Sequence, residues 1–166
     1  MLVEYAKATP TDIMIQISVA NRGSEPAQLH VLPTLWFRNT WTWWPDQPKP
    51  SLRQKPDEDT VTIETSHADL GSFLLHCDGN PRLLFTENDT NNERLFGTPN
   101  ATPYVKDGIN NYVVSGQKDT VNPSHSGTKA AAHFQLDIGA GETAVVRLRL
   151  TNIGSRNPFG GNLIRL

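Results

Sequence analysis

Cysteine is nearly absent: Cys77 stands alone among 166 residues, so no disulfide can close within the chain and no cysteine-based zinc site can be assembled. It ends the apolar run Phe73-Leu74-Leu75-His76-Cys77, where a buried structural thiol is expected rather than a nucleophile. Charge excess is lacking too. The formal net charge is −2 and the 15 basic residues are scattered, which excludes the electrostatic footprint of a nucleic-acid or anionic-membrane binder. The densest charged run, Asp57-Glu58-Asp59, is short, acidic and read as a solvated loop. No apolar stretch approaches a membrane span. The opening Met1-Leu2-Val3-Glu4-Tyr5-Ala6-Lys7 is too short and too charged for the apolar core of a secretory leader. The expected compartment is therefore cytoplasmic, where sequons at Asn88 and Asn100 have no role.

The usual signatures of chemistry are missing as well. His30, His67, His76, His125 and His133 are spread singly, without HxH or HExxH spacing, so no metal is expected. There is no glycine-rich phosphate loop and no GxSxG elbow, and no cofactor is expected. Glycoside hydrolysis needs two carboxyl groups across a scissile bond. Glu87, Asp89, Glu93 and Asp107 lie in one polar stretch, but spacing does not set any two of them across a sugar ring. Such side chains ordinarily satisfy the backbone of their own loops. No catalytic residue is assigned.

What the chain does have is period-two alternation. Across 12–20, Ile13, Ile15, Ile17 and Val19 share one face, with Gln16 and Ser18 on the other. Asn21-Arg22-Gly23-Ser24-Glu25-Pro26 is turn chemistry. The strand over 28–38 puts Leu29, Val31, Leu35 and Phe37 on one face. Leu32 and Trp36 stand with His30 and Thr34 on the other, so cover on both sides is expected. Pro33 cannot donate to a ladder, which implies a bulge or an exposed edge. Further strands fall over 60–65, 72–77 and 82–86. A hairpin follows, with arms 131–138 and 143–151 around Gly139-Ala140-Gly141-Glu142. Phe134, Leu136, Ile138, Val146 and Leu148 face inward, and Arg147 and Arg149 outward. Short strands at this spacing predict an all-β fold, an antiparallel β-sandwich over residues 1–152. Irregular segments occupy 39–59 and 88–127, and 153–166 reads as a tail or linker. Forty structureless residues are unusual in a compact domain, so part of the second segment should be ordered; 110–116 fits a helical turn or a short strand.

The aromatic stretch is the most informative. Trp36, Trp41, Trp43 and Trp44 lie close together with Arg38 and Asn39. Indole rings beside polar side chains suit the flat C–H faces of sugars, and Trp and Arg also anchor protein interfaces. Burial as a plug at the end of the sandwich is the competing structural reading. Asp107, Asn110 and Asn111 mark the other irregular segment that could reach a ligand or a neighbouring domain.

These residues also carry a family resemblance. Val3-Glu4-Tyr5-Ala6-Lys7-Ala8, Asp12-Ile13 and Asn21-Arg22-Gly23 resemble the bacterial glucosidases of glycoside hydrolase family sixty-three, which are related to mannosyl-oligosaccharide glucosidase. So do Leu29-His30-Val31-Leu32-Pro33-Thr34-Leu35-Trp36-Phe37-Arg38-Asn39-Thr40-Trp41 and Leu84-Phe85-Thr86-Glu87-Asn88. Thr90-Asn91-Asn92-Glu93-Arg94-Leu95-Phe96-Gly97 adds to these, and Tyr104-Val105-Lys106-Asp107-Gly108-Ile109-Asn110-Asn111-Tyr112-Val113-Val114 is the most specific stretch. Gly127-Thr128-Lys129-Ala130-Ala131-Ala132-His133 continues it, while 45–50 and everything from 152 follow the family weakly. The resemblance implies a supersandwich like that of galactose mutarotase, here incomplete, beside a separate (α/α)6 barrel holding the acidic catalytic pair. No catalytic position of the family has a counterpart in this chain.

Three readings follow. The leading one is a non-catalytic accessory domain that packs on the barrel and shapes its substrate mouth. The second is a free-standing carbohydrate-binding module contacting an oligosaccharide. The third is an autonomous hydrolase. Neither nucleic acid nor membrane is expected as a partner, and self-association through a sheet edge is a corollary of the missing strands.

Overall fold

A computed structural model describes residues 1–44, 46–56 and 59–160. Asp57 and Glu58 of the acidic run, and 161–166 of the tail, lie outside the described residues. The strands are β1 (Leu2–Thr9), β2 (Asp12–Ala20), β3 (Ala27–Val31), β4 (Thr34–Trp36), β5 (Ser51–Gln54), β6 (Val61–His67), β7 (Gly71–Cys77) and β8 (Arg82–Thr86). After them come helices α1 (Asn92–Phe96) and α2 (Gly108–Ser115), a short 3-10 turn at Lys118–Thr120, and β9 (Ser126–Gly127), β10 (Lys129–Ile138) and β11 (Thr143–Thr151).

The strands form two antiparallel sheets. The larger runs β1-β2-β11-β7-β6-β5-β9. In the smaller, β10 pairs with β3 and β4 along one side and with β8 along the other. Alternation dictates the packing. Ile17, Val19, Ile63, Leu75, Cys77, Val146 and Leu148 of the large sheet meet Val31, Leu83, Phe85, Ala130, Ala132 and Ile138 of the small one. This is the antiparallel sandwich that the alternation predicts. Cys77 is fully buried, and burial pushes its thiol up to about 12, so it is inert.

Pro33 does interrupt its strand. Backbone pairing lapses between β3 and β4, yet the Pro33 carbonyl still accepts from the Ala132 N–H at 3.0 Å. The strand is covered less fully than its pattern suggests. Leu29, expected in the core, is 39% exposed, and Trp36 on the other face is 53% exposed. The cause is topological: β3 and β4 form an edge, and the small sheet is too narrow to cover the full width of the large one. For the same reason Ile13, Ile15, Leu35, Phe134 and Leu136 are only half-buried, and β1 exposes Leu2, Val3 and Tyr5 at the opposite edge.

The segment over 88–127 is ordered by packing. In α2, Ile109, Tyr112 and Val113 recur at helical spacing and lie with Leu84 and Ala131 on the outer face of the small sheet, forming a second apolar cluster. The helix stops at Gly116, which takes the left-handed conformation (φ 68°) and returns its N–H to the Asn111 carbonyl. Gly127 is required sterically, because a β-carbon there would collide with the Thr86 carbonyl oxygen. The segment over 39–59 likewise contains β5, with Leu52 fully buried. The start of the expected tail makes contacts with the sandwich. Pro158 is buried, and its carbonyl accepts from Arg149 Nη1 at 2.8 Å, so the residues to Gly160 are tied to the outer face of the large sheet.

Candidate functional site

The end of β4 leads into a turn that carries the tryptophans. Trp43 and Trp44 are 58% and 63% exposed, Trp41 is half-buried, and the Arg38 guanidinium lies 5.2 Å from the Trp43 ring centroid. That stacking contributes about 0.5–1 kcal/mol at an exposed site. Burial as a plug therefore fails for Trp36, Trp43 and Trp44, each more than half exposed, and Trp43 lies against a cation.

The turn is joined to a polar knot. The Asn39 amide donates to Asp89 Oδ1 at 2.6 Å and to the Asn88 carbonyl at 3.3 Å, and its oxygen accepts from the Thr42 hydroxyl at 2.9 Å. Asn88 Nδ2 donates back to the Phe37 carbonyl at 2.9 Å, and the Asn88 N–H donates to Thr128 Oγ1 at 2.8 Å. Glu87 accepts from Thr128 Oγ1 at 2.7 Å and pairs with Lys49 at 3.0 Å. Burial first, then the neighbouring Glu87 carboxylate, raises the Asp89 carboxyl above its ordinary range. Lys49, the Asn39 bond and Lys106 pull the other way.

The second predicted segment is elsewhere. Asp107 stands just before α2, accepting from Asn91 Nδ2 at 3.2 and 3.1 Å and from Arg94 Nη1 at 3.3 Å. Asn111 shares with Asn91 and Arg94 the lining of a groove of about 630 Å³, whereas Asn110 is exposed on α2 and outside it. None of the tryptophans lines this groove. The two segments are linked through Lys106: its N–H donates to the Asp89 carbonyl at 3.0 Å, and its carbonyl accepts at 3.0 Å from Nζ of Lys129, the ladder partner of Trp36. So the structure puts Arg38 over Trp43 and ties Asn39 to Thr42 within the tryptophan turn, while Asp107 is held by Asn91 and Arg94 and Asn111 lines the groove.

The four carboxyls of the polar stretch are occupied differently. Glu87, Asp89 and Asp107 are each held by the partners above, and Glu93 is exposed. Among the described residues no group of three or more His, Cys, Asp or Glu side chains could hold a metal ion. No helix there is long and apolar enough to cross a membrane.

Sequence spacing concealed one pairing. His30 on β3 and His133 on β10 meet edge to edge, with Nδ1 to Nε2 at 2.6 Å, centroids 4.9 Å apart and planes 20° apart. One nitrogen must donate and the other must be bare, so two imidazolium rings would set N–H against N–H. Tyr112 of α2 meets the His133 ring edge-on. Burial, then His30 and Arg82, lowers the proton affinity of His133 below its ordinary 6.5. A base depressed by folding gives full stability above its unfolded value, and that stability is lost as pH falls through the folded one. The thermal midpoint should therefore drop between about pH 7 and pH 5, and His133→Phe should flatten the slope. An unchanged slope in His133→Phe would show that the pair does not carry the effect.

In class, then, the chain is an antiparallel β-sandwich that exposes Trp36, Trp43 and Trp44. No protein-family model matches it. No solved structure matches it either. It is similar to an uncharacterized protein of Saccharomyces cerevisiae, with 31% identity over 169 residues, covering 86% of this chain and 15% of the yeast protein. The chain thus spans about 15% of the length of the curated relative it matches.

Proposed function

We propose that this chain is a non-catalytic accessory domain of a glycoside hydrolase acting on α-glucosides or oligosaccharides. It packs on a separate (α/α)6 catalytic module and shapes the mouth of its substrate site. The observation that carries the reading is the exposure of Trp36 on β4 and of Trp43 and Trp44 in the turn that follows it, with Arg38 over the Trp43 ring. Buried Trp and Arg dominate the energetics of protein interfaces, so an uncovered pair is consistent with a docking face. Two further facts support it. The sequence resembles the family whose barrel supplies the chemistry. The match also occupies a small part of a much longer relative, as a single domain would.

The carboxyls agree with the non-catalytic role, since Glu87 and Asp107 are tied to cations and amides of this chain. The isolated chain should hydrolyse no α-glucoside. Turnover that follows the purified protein and vanishes in Asp107→Asn or Glu93→Gln would overturn the reading. Docking is tested by calorimetry against a purified (α/α)6 module from the same or an adjacent gene. Trp43→Ala with Trp44→Ala should weaken that association about tenfold or more. A fluorescence response to glucose oligomers with no response to the barrel would instead favour a free-standing carbohydrate-binding module.

A further inference from the structure

Each tryptophan of the chain falls between 36 and 44, so its intrinsic emission reports one segment alone. The pose of that segment rests on little apolar packing, because Trp43 and Trp44 are more than half exposed. Its own backbone contributes Trp43 N–H to the Thr40 carbonyl at 3.1 Å and Gln47 N–H to the Trp44 carbonyl at 3.2 Å. Asn88 Nδ2 holds the Phe37 carbonyl before the turn and Glu87 pairs with Lys49 after it, but the side chain that ties the turn itself to the sandwich is the Asn39 amide, with one end on Asp89 and Asn88 and the other on Thr42. The amide orientation is forced: a carboxylate and a carbonyl can only accept, so Nδ2 must face them and Oδ1 must take the Thr42 hydroxyl.

Asp89 is the titratable half of this tie. A charged carboxylate holds an amide donor about twice as strongly as a neutral group does. Glu87 opposes its ionisation, while Lys49 and Lys106 favour it. Other ionisable groups also meet the segment: Arg38 over Trp43, His67 at 5.0 Å from the Phe37 ring, and Lys129 opposite Trp36 in the ladder.

We propose that the Asn39–Asp89 hydrogen bond is a proton-sensitive latch on the tryptophan turn, closed when Asp89 is ionised and slack when Asp89 takes up a proton. The latch would regulate the docking face, and to that extent it rests on the reading above. The latch itself is read without any partner. Because folding raises the Asp89 carboxyl above its ordinary 3.8, the turn loosens at a pH higher than an unperturbed aspartate would require. Its ionisation in the fold is costly, and closure at neutral pH is the compensating contact.

The test is acrylamide quenching of tryptophan emission in the intact chain from neutral pH down to about pH 4, with far-UV circular dichroism as the control for folding. The wild-type quenching constant should rise on the order of twofold while the dichroism holds. Asp89→Asn keeps the shape without the charge, and it should quench at neutral pH as the wild type does in acid, with no further response. Asn39→Ala should behave alike. His67→Gln should keep the acid response, which separates the latch from imidazole titration. A flat wild-type profile with the fold intact, or an unaltered acid response in Asp89→Asn, would overturn the proposal. If Asn39→Ala fails to fold, the wild type and Asp89→Asn still decide. Failure to bind any barrel would count against the docking reading and leave this result untouched.

Discussion

Phe85→Ala should lower the free energy of unfolding by about 3–5 kcal/mol, the largest effect expected of any single truncation in this chain. Phe85 is 1% exposed and is the bulkiest of the fully buried side chains. It lies at the meeting point of three structures. Its strand pairs with β10 opposite Ala130, its ring joins the central core, and its carbonyl accepts from the Asn122 N–H at 2.8 Å. The surrounding cavity cannot collapse readily, because Ala130 and Ala132 across the ladder are already small and fully buried. The loss is therefore the transfer term plus most of the cavity term. Domains of this kind are stable by only about 5–15 kcal/mol, so the variant stands near the edge of folding. Urea denaturation measures it as a lower midpoint at similar slope. Leu29→Ala, at the open edge of β3, is the contrasting control and should cost about 1 kcal/mol or less. Equal losses at both positions would mean that the small sheet covers more of the large one than the strand order implies.

The strands that bury one clean face were legible, and those that do not were hidden. β2 and β11 match the sequence reading residue for residue, because Ile15, Ile17, Val146 and Leu148 alternate without interruption, and β8 was read from its short apolar run although it is buried on both faces. β5 offers only Leu52 to the core, and four residues around one apolar side chain give no period to read. β1 is an edge whose apolar residues face solvent, so nothing in its pattern declares a buried side. α2 was undecidable between helix and strand. Its helical stripe of Ile109, Tyr112 and Val113 is a single turn long and depends on Leu84 and Ala131, distant in sequence, for its partner. The tryptophan stretch was legible in composition. The Asn39–Asp89 bond was not, since the two residues are fifty apart and the pairing of β4 and β8 with β10 brings them together. His30 and His133 escaped notice for the same reason.

Arg149→Met should cost about 2–3 kcal/mol at neutral pH, between the values for an exposed pair and a fully buried one, and it should reverse this site's contribution to the acid response. Arg149 grips both oxygens of Asp12, at 2.8 and 2.7 Å, and Asp12 is 6% exposed. The Arg149 hydrogen bond, with a further contribution from its charge, outweighs burial and holds the Asp12 carboxyl below its ordinary 3.8. A carboxyl depressed by folding gives stability that is present above its unfolded value and lost as pH falls through the folded one. Wild-type stability from this site therefore declines in acid. Without the guanidinium, the burial that raises the carboxyl is left unopposed. The carboxyl should then shift upward instead of downward on folding, and the sign of this site inverts: its contribution is least favourable at neutral pH and recovers as Asp12 is protonated. Adding Asp12→Asn removes the stranded charge and should restore most of the loss, since replacing both partners costs far less than orphaning one. Unfolding curves from about pH 3 to pH 7 for the wild type, single and double variants decide the matter. Parallel pH profiles for wild type and Arg149→Met would mean that Asp12 is solvated in the fold and that the pair contributes as little as any surface salt bridge.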